Sequence, residues 1–165
     1  AAMINDVSGG ALDPGMFTLA AESQVPYILM HMRGDPKTMT GLSQYNDVVK
    51  EVTDYFHFRL HQLHALGVKD IVVDPGFGFA KNIEQNFKLL HSLDYLKILD
   101  KPIMVGISRK SMIWKTLSTT PDEALNGTTC LNTLAVLKGA NILRVHDVKE
   151  AVEVCKLFSS ITSSP

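Results

Sequence analysis

Residues Asp70 to Lys81 read D-I-V-V-D-P-G-F-G-F-A-K, and this run limits the possible folds more than any other stretch of the chain. Ile71, Val72 and Val73 are an uninterrupted β-branched run, the pattern of a strand buried on both faces. The strand meets an acid, Asp74, then a proline and two glycines, so the chain leaves the sheet abruptly and cannot start a helix at once. Asp-Pro-Gly also forms turns on its own account, and turn chemistry explains the proline and the first glycine without any ligand. In a parallel α/β protein, however, the carboxyl ends of the strands carry the site, and an acid at that edge points at a ligand.

The pattern recurs. Short apolar strands are predicted at Ala2 to Asn5, Tyr27 to Met30, Ile103 to Ile107 and Ile142 to Val145, and each runs into polar residues or glycine. Between them the spacing predicts helices over Pro14 to Gln24, Tyr45 to Leu66, Ile83 to Leu93, Pro121 to Lys138 and Lys149 to Ile161, with a short turn of helix from Lys110 to Met112. Asp13 and Asn82 are the expected N-caps of the first and third helices, and Gly67 the C-terminal stop of the second. Met16, Leu19 and Ala20 are expected on the buried face of the first helix, and Leu134, Ala135 and Leu137 on that of the fifth. His31 to Thr38 form a loop long enough to suggest function, and Thr162 to Pro165 a frayed tail. The alternation of strand and helix defines an α/β fold with a parallel sheet in a single domain spanning 1–165.

Composition removes several classes. With 165 residues, 45% of them hydrophobic, the chain can bury one ordinary core. A net charge of −1 gives no field to gather nucleic acid or a membrane surface, so an anionic substrate needs local groups. No stretch approaches the ~18 apolar residues of a membrane span. Cys130 and Cys155 lack any metal-binding spacing and read as two buried free thiols of a reducing, cytoplasmic protein. His57, His61 and His64 share a helical face, but no acid accompanies them there and the face reads as exposed. Trp114 reads as a packing residue.

The predicted strand ends bring together Asn5 and Asp6; His31 and Arg33; Asp74; Arg109 and Lys110; and Arg144, His146 and Asp147. Asn5 and Asp74 can together hydrogen-bond a flat, amide-like heterocycle, because a carboxylate accepts two bonds and an asparagine offers one donor and one acceptor. Lys110, Arg144 and His146 are suited to a phosphate or to leaving-group charge, and two-residue spacing puts Arg144 and His146 on one face of a strand. No Ser-His-Asp or Cys-His pattern suggests a covalent intermediate.

These residues carry a resemblance. I-N-D-V-S-G from Ile4, M-H-M-R-G-D-P-K-T-M from Met30, D-P-G-F-G-F-A-K from Asp74, V-G-I-S-R-K-S-M from Val105 and R-V-H-D-V from Arg144 closely resemble, in order, the motifs of the bacterial dihydropteroate synthase family. The resemblance implies a (β/α)8 TIM barrel. It also implies condensation of 6-hydroxymethyl-7,8-dihydropterin pyrophosphate with p-aminobenzoate, release of pyrophosphate, and inhibition by sulfonamides. On this likeness Asn5 and Asp74 hold the pterin's pyrimidine edge, and Met30 packs near its ring. Lys110 contacts the pterin beside the p-aminobenzoate pocket, which Phe79 and Ser111 line. Arg144 and His146 bind pyrophosphate, and Gly106 joins the binding set. Asp74, Lys110, Arg144 and His146 are the residues expected to carry the chemistry.

A whole barrel needs about 250 residues, so five βα units out of eight are expected here. The resemblance assigns the family's magnesium-binding asparagine to the first three units, so Mg2+ is expected as the cofactor of the whole enzyme with no ligand in this chain. Open sheet edges at Ala2 to Asn5 and Ile142 to Val145 lead to the expectation of an inactive, self-associating fragment. The family likeness adds a homodimer. Two other readings stand beside this one: the pterin-binding barrel of a folate-dependent methyltransferase, which would have no pyrophosphate to hold, and a non-catalytic α/β scaffold whose polar strand ends are only caps.

Overall fold

A computed structural model describes residues 2–34 and 42–163, so Asp35 to Thr38 of the second loop and the end of the predicted tail lie outside the described residues. Among the described residues, five strands alternate with helices: β1 (Ile4–Asp6), α1 (Met16–Ser23), β2 (Tyr27–Met30), α2 (Val48–Ala65), β3 (Ile71–Asp74), α3 (Ile83–His91), β4 (Met104–Val105), α4 (Ser111–Trp114), α5 (Leu125–Leu137), β5 (Ile142–Leu143) and α6 (Val148–Thr162). All pairings are parallel. Asn5 lies opposite Ile28 and Ile28 opposite Val72, while Met30 lies opposite Asp74 and Met104 opposite Ile142. A single bridge from Val73 to Ile103, with Val73 N–H donating to the Pro102 carbonyl at 2.9 Å, joins the first three strands to the last two.

Alternation along the strands divides the sheet into two faces. Tyr27, Leu29, Ile71, Val73, Ile103 and Val105 pack against Ala20, Val52, Phe56, Leu63, Leu89 and Ala135, so helices cover one face in one continuous core. Ile28, Val72 and Met104, with Ile142 beside them, make a small separate cluster on the other face.

The caps follow local chemistry. Asp47 accepts from the Val49 and Lys50 N–H groups and starts α2 three residues after the predicted Tyr45. Asn82 and Gln85 form a reciprocal capping box at α3, as predicted for Asn82. Gly67, at φ 84°, ends α2 with Gly67 and Val68 N–H groups donating to the His64 and Leu63 carbonyls. A seven-residue 3-10 helix over Leu93–Leu99 was not expected from the pattern.

Other expectations are corrected. Asp13 does not cap α1: its carboxylate accepts from Gly15 N–H at 2.8 Å in a turn before the helix, which begins at Met16. Leu19 is exposed, as are Leu134 and Leu137, where Asn132 and Val136 take the buried positions. Pro121 to Ala124 form turns in front of α5, and Glu123 accepts from the Thr119 and Thr120 hydroxyls there. β4 and β5 keep two residues each. Past them, side-chain bonds replace the ladder. Cys130 and Cys155 are exposed on α5 and α6 and not buried as expected. Trp114 packs against the main core, as read from sequence.

Candidate functional site

The parity that puts Ile28, Val72 and Met104 on the helix-free face extends to Asn5, Met30, Asp74, Gly106 and Arg144. The carboxyl ends of the strands there form the site. Met30 is fully buried and packs under the loop after β3. Asn5 is exposed in the row of Ile28, one row before Met30 and Asp74.

Asp74 is 1% exposed and its two carboxylate oxygens differ. One accepts from the Gly76 N–H at 2.8 Å; the other is buried with no hydrogen-bond partner among the described residues. The nearest cation to that second oxygen is Arg144, whose Nη2 is 3.7 Å away. Burial raises the Asp74 pKa, and the Gly76 N–H, Lys110, Arg144 and Lys81 pull against it. A buried acceptor left open costs free energy unless something arrives to fill it. Gly76, at φ 69°, is required by this turn, because a Cβ there would overlap the His31 carbonyl oxygen.

The cations crowd the same mouth. Lys110 Nζ lies 4.7 Å from the centre of the half-buried Phe79 ring and donates to the Phe77 carbonyl. Burial pushes its pKa down to about 8, against the pull of Asp74. The Arg144 guanidinium lies across Gly106, where a Cβ would sit 3.0 Å from Nε and Nη2. Gly106 therefore serves the site by leaving room for Arg144. His146 is exposed, and Ser108 Oγ holds it from two sides: 3.2 Å from its backbone N and 3.0 Å from Nδ1. Ser111 opens α4 immediately after Lys110, whose backbone is extended.

Several polar strand ends are already occupied. Asp6 points to the helical face, where it accepts from Ser8 N–H and Oγ, Gly10 N–H and the Tyr27 hydroxyl. Arg33 pairs with Glu51 at 2.5 Å and lies 3.8 Å over the Tyr45 ring. Arg109 grips Asp147 through Nε at 3.0 Å and Nη2 at 2.8 Å, and Nη1 donates to the Pro121 and Asp122 carbonyls. These groups shape loops and are not free for a ligand. The exposed His57, His61 and His64 are far from this mouth on α2, and among the described residues no cluster of three His, Cys, Asp or Glu suited to a metal occurs. Ser108 and Lys81 were missed as site residues. Both stand in the quoted motifs, but nothing local marks a serine as the holder of a histidine thirty-eight positions away.

This face sets a buried open carboxylate beside cations at the carboxyl ends of parallel strands, the edge at which α/β barrels place their ligands. The family model described as pterin binding enzyme matches residues 1–146, and the chain belongs to that family. Several of the proteins similar to it are dihydropteroate synthases. The dihydropteroate synthase of Synechocystis sp. is 42% identical over 162 residues, covering 96% of this chain and 56% of that protein. The structure of Yersinia pestis dihydropteroate synthase in complex with a sulfonamide drug superposes with a TM-score of 0.95 at 36% identity, over 99% of this chain and 60% of that one. The Xanthomonas albilineans enzyme with 4-aminobenzoic acid gives 0.92 at 34% identity, over 100% and 59%. This chain thus spans a little over half the length of its relatives, and its five parallel strands are a partial (β/α)8 barrel.

Proposed function

We propose that the chain carries the pterin and pyrophosphate side of a dihydropteroate synthase, which joins 6-hydroxymethyl-7,8-dihydropterin pyrophosphate to p-aminobenzoate. The observation that carries this reading is the open oxygen of buried Asp74, flanked by Lys110 and Arg144. A pterin edge bearing N–H groups fills that acceptor, as a carboxylate takes two parallel N–H bonds. Asn5 and Met30 complete the ring's surroundings. The bond from the pterin methylene carbon to the pyrophosphate oxygen breaks, and both electrons leave with the oxygen. Arg144, His146 and Lys110 lower the energy of that departing charge, and the Asp74 carboxylate opposes the positive charge that develops on the ring. The aniline nitrogen of p-aminobenzoate, seated by Phe79 and Ser111, then bonds to the methylene carbon and gives up a proton. Sulfonamides, as mimics of p-aminobenzoate, compete for the same seat. The relatives crystallised with a sulfonamide and with 4-aminobenzoic acid support this part of the reading.

Magnesium, which takes oxygen ligands, is kept in this reading as the cofactor of the whole enzyme, with its ligand expected outside this chain. A homodimer through the outer helices is supported by the exposed Leu134, Leu137, Leu157 and Ile161 on α5 and α6. No described helix is long and apolar enough to cross a membrane. A methyltransferase barrel is disfavoured by the Arg144 and His146 pair, since methyl transfer has no pyrophosphate to hold.

The test is calorimetric titration of the chain with the dihydropterin pyrophosphate, with and without Mg2+, beside Asp74→Asn. Binding that Asp74→Asn abolishes supports the reading. Equal binding by both proteins overturns it.

A further inference from the structure

Behind Asp74 the fold buries a second pair of titratable groups that the reaction above does not use. Lys81 is 9% exposed and His31 2% exposed. Lys81 Nζ lies 2.9 Å from His31 Nδ1, and 3.1 Å from each of the Gly76 and Phe79 carbonyl oxygens. Three acceptors around one Nζ match the three N–H donors of an ammonium. The imidazole is boxed in by the edge-on Tyr55 ring at 4.9 Å and by Tyr45 and Phe56. The His31 backbone N–H donates to the Asp74 carbonyl at 2.9 Å, and the His31 carbonyl closes over Gly76. Lys81 therefore ties the end of β2 to both ends of the turn after β3.

We propose that Lys81 is a positioning residue for the site: as an ammonium donating to Gly76, Phe79 and the Nδ1 of a neutral His31, it fixes the turn that aims Asp74 and Phe79 and sets a buried positive charge behind the Asp74 carboxylate. The turn matters to both. Gly76 N–H is the one hydrogen-bond donor to the Asp74 carboxylate among the described residues, and the Phe79 ring lies against Lys110. The charges bearing on Lys81 are Asp74, which favours the ammonium, and Lys110 and Arg33, which oppose it; burial is the largest influence and pushes Lys81 down to about 7. Burial, followed by the charges of Lys81 and Arg33, holds His31 well below the usual imidazole range, which keeps it a neutral acceptor. Asp74 in turn faces Lys110 and Arg144 as well as Lys81.

The opposite proton arrangement, an amine accepting from a His31 Nδ1–H, gives the same heavy-atom distances, so the proton positions decide the matter. Two-bond hydrogen to nitrogen correlations of the isotope-labelled chain read the His31 tautomer directly, from about pH 5 to about pH 6, below the value of about 7 to which burial pushes Lys81. The expected result is a neutral ring protonated on Nε2 throughout; a proton on Nδ1 overturns the proposal, and this reading needs no variant. In Lys81→Met, which keeps length and loses charge, the carbon-detected titration of the Asp74 carboxyl moves to higher pH. Amide exchange at Gly78 and Phe79 speeds up by about tenfold while that at Val52 and Leu89 stays as it was. His31→Gln, which keeps an acceptor, retains the slow exchange. A folded Lys81→Met with unmoved Asp74 titration and unmoved loop exchange overturns the proposal. Only the consequence for ligand affinity rests on the function proposed above, and none of these readouts uses a ligand.

Discussion

The ends of β1 and β3 each carry a buried acid, on strands separated only by β2, and the two carboxylates live under opposite conditions. Asp6 faces the helices and accepts four hydrogen bonds, two on each oxygen, from Ser8, Gly10 and Tyr27. Burial works to raise its pKa, and those bonds more than offset it, so the group sits below its ordinary value. Asp74 faces the helix-free side, with one oxygen capped by Gly76 and the other open. Its pKa is raised, with burial the leading cause. A satisfied acid holds a loop together, whereas an open one stores an unfavourable state that a ligand can relieve.

The comparison breaks most visibly at Asp6. Asp6→Ala orphans two backbone N–H groups and two hydroxyls, and should cost about 3 kcal/mol in urea unfolding. A loss below about 1 kcal/mol would mean that the β1 loop is held by something other than this acid. Asp74→Asn should go the other way, unfolding at about 1 kcal/mol higher stability even as the pterin pyrophosphate is no longer bound. Acid titration sharpens the contrast. The Asp6 contribution is fully present above 3.8 and disappears as pH falls from there through its lower folded value. The Asp74 penalty is present at neutral pH and is relieved as pH falls through its raised folded value toward 3.8. Stability curves of Asp6→Asn and Asp74→Asn against the unaltered chain should therefore converge on it over different, adjacent pH windows.

A smaller effect is expected where β4 and β5 meet. Their ladder is two residues long, and the Arg109 fork on Asp147 and the Ser108 hold on His146 extend the register past it. Arg109→Ala should speed amide exchange at Arg144, which donates to the Val105 carbonyl, and leave Leu29 and Val73 in the longer ladder untouched. Smallest of all, replacing His57, His61 and His64 together by glutamine should change stability by less than about 0.5 kcal/mol, and added zinc should not raise the melting temperature of the unaltered chain. A zinc-dependent rise would show that the helix face does bind metal.

Much of the fold was legible because its signals are local. β-branched runs, helical spacing, the Asn82 N-cap and the Gly67 stop each lie within a few residues of the structure they specify. Strand lengths were overread at β4 and β5, since an apolar run says where a strand can pair but not where its neighbour turns away. Leu19, Leu134, Leu137 and both cysteines were assigned to the interior because an apolar stripe on an isolated helix does not say how wide the covered face is. Asp74, Lys110 and Arg144 were read as site candidates from residue type and strand-end position, and Gly106 from the family resemblance; the fold brings all four to one mouth.

The order of residues by itself determined the alternation of strands and helices, the polar strand ends and the motifs that mark the pterin binding enzyme family. It left Asp6 and Asp74 alike, as acids at the carboxyl ends of short predicted strands, each with a glycine within three residues after it. Tertiary structure decided which one turns toward the helices and which toward the open face. It also brought Lys81 to His31 across fifty positions and Arg109 to Asp147 across thirty-eight. The reason is physical: backbone preference and side-chain period act over a few residues. Whether a buried polar group finds its partner depends on neighbours that only the packed sheet supplies.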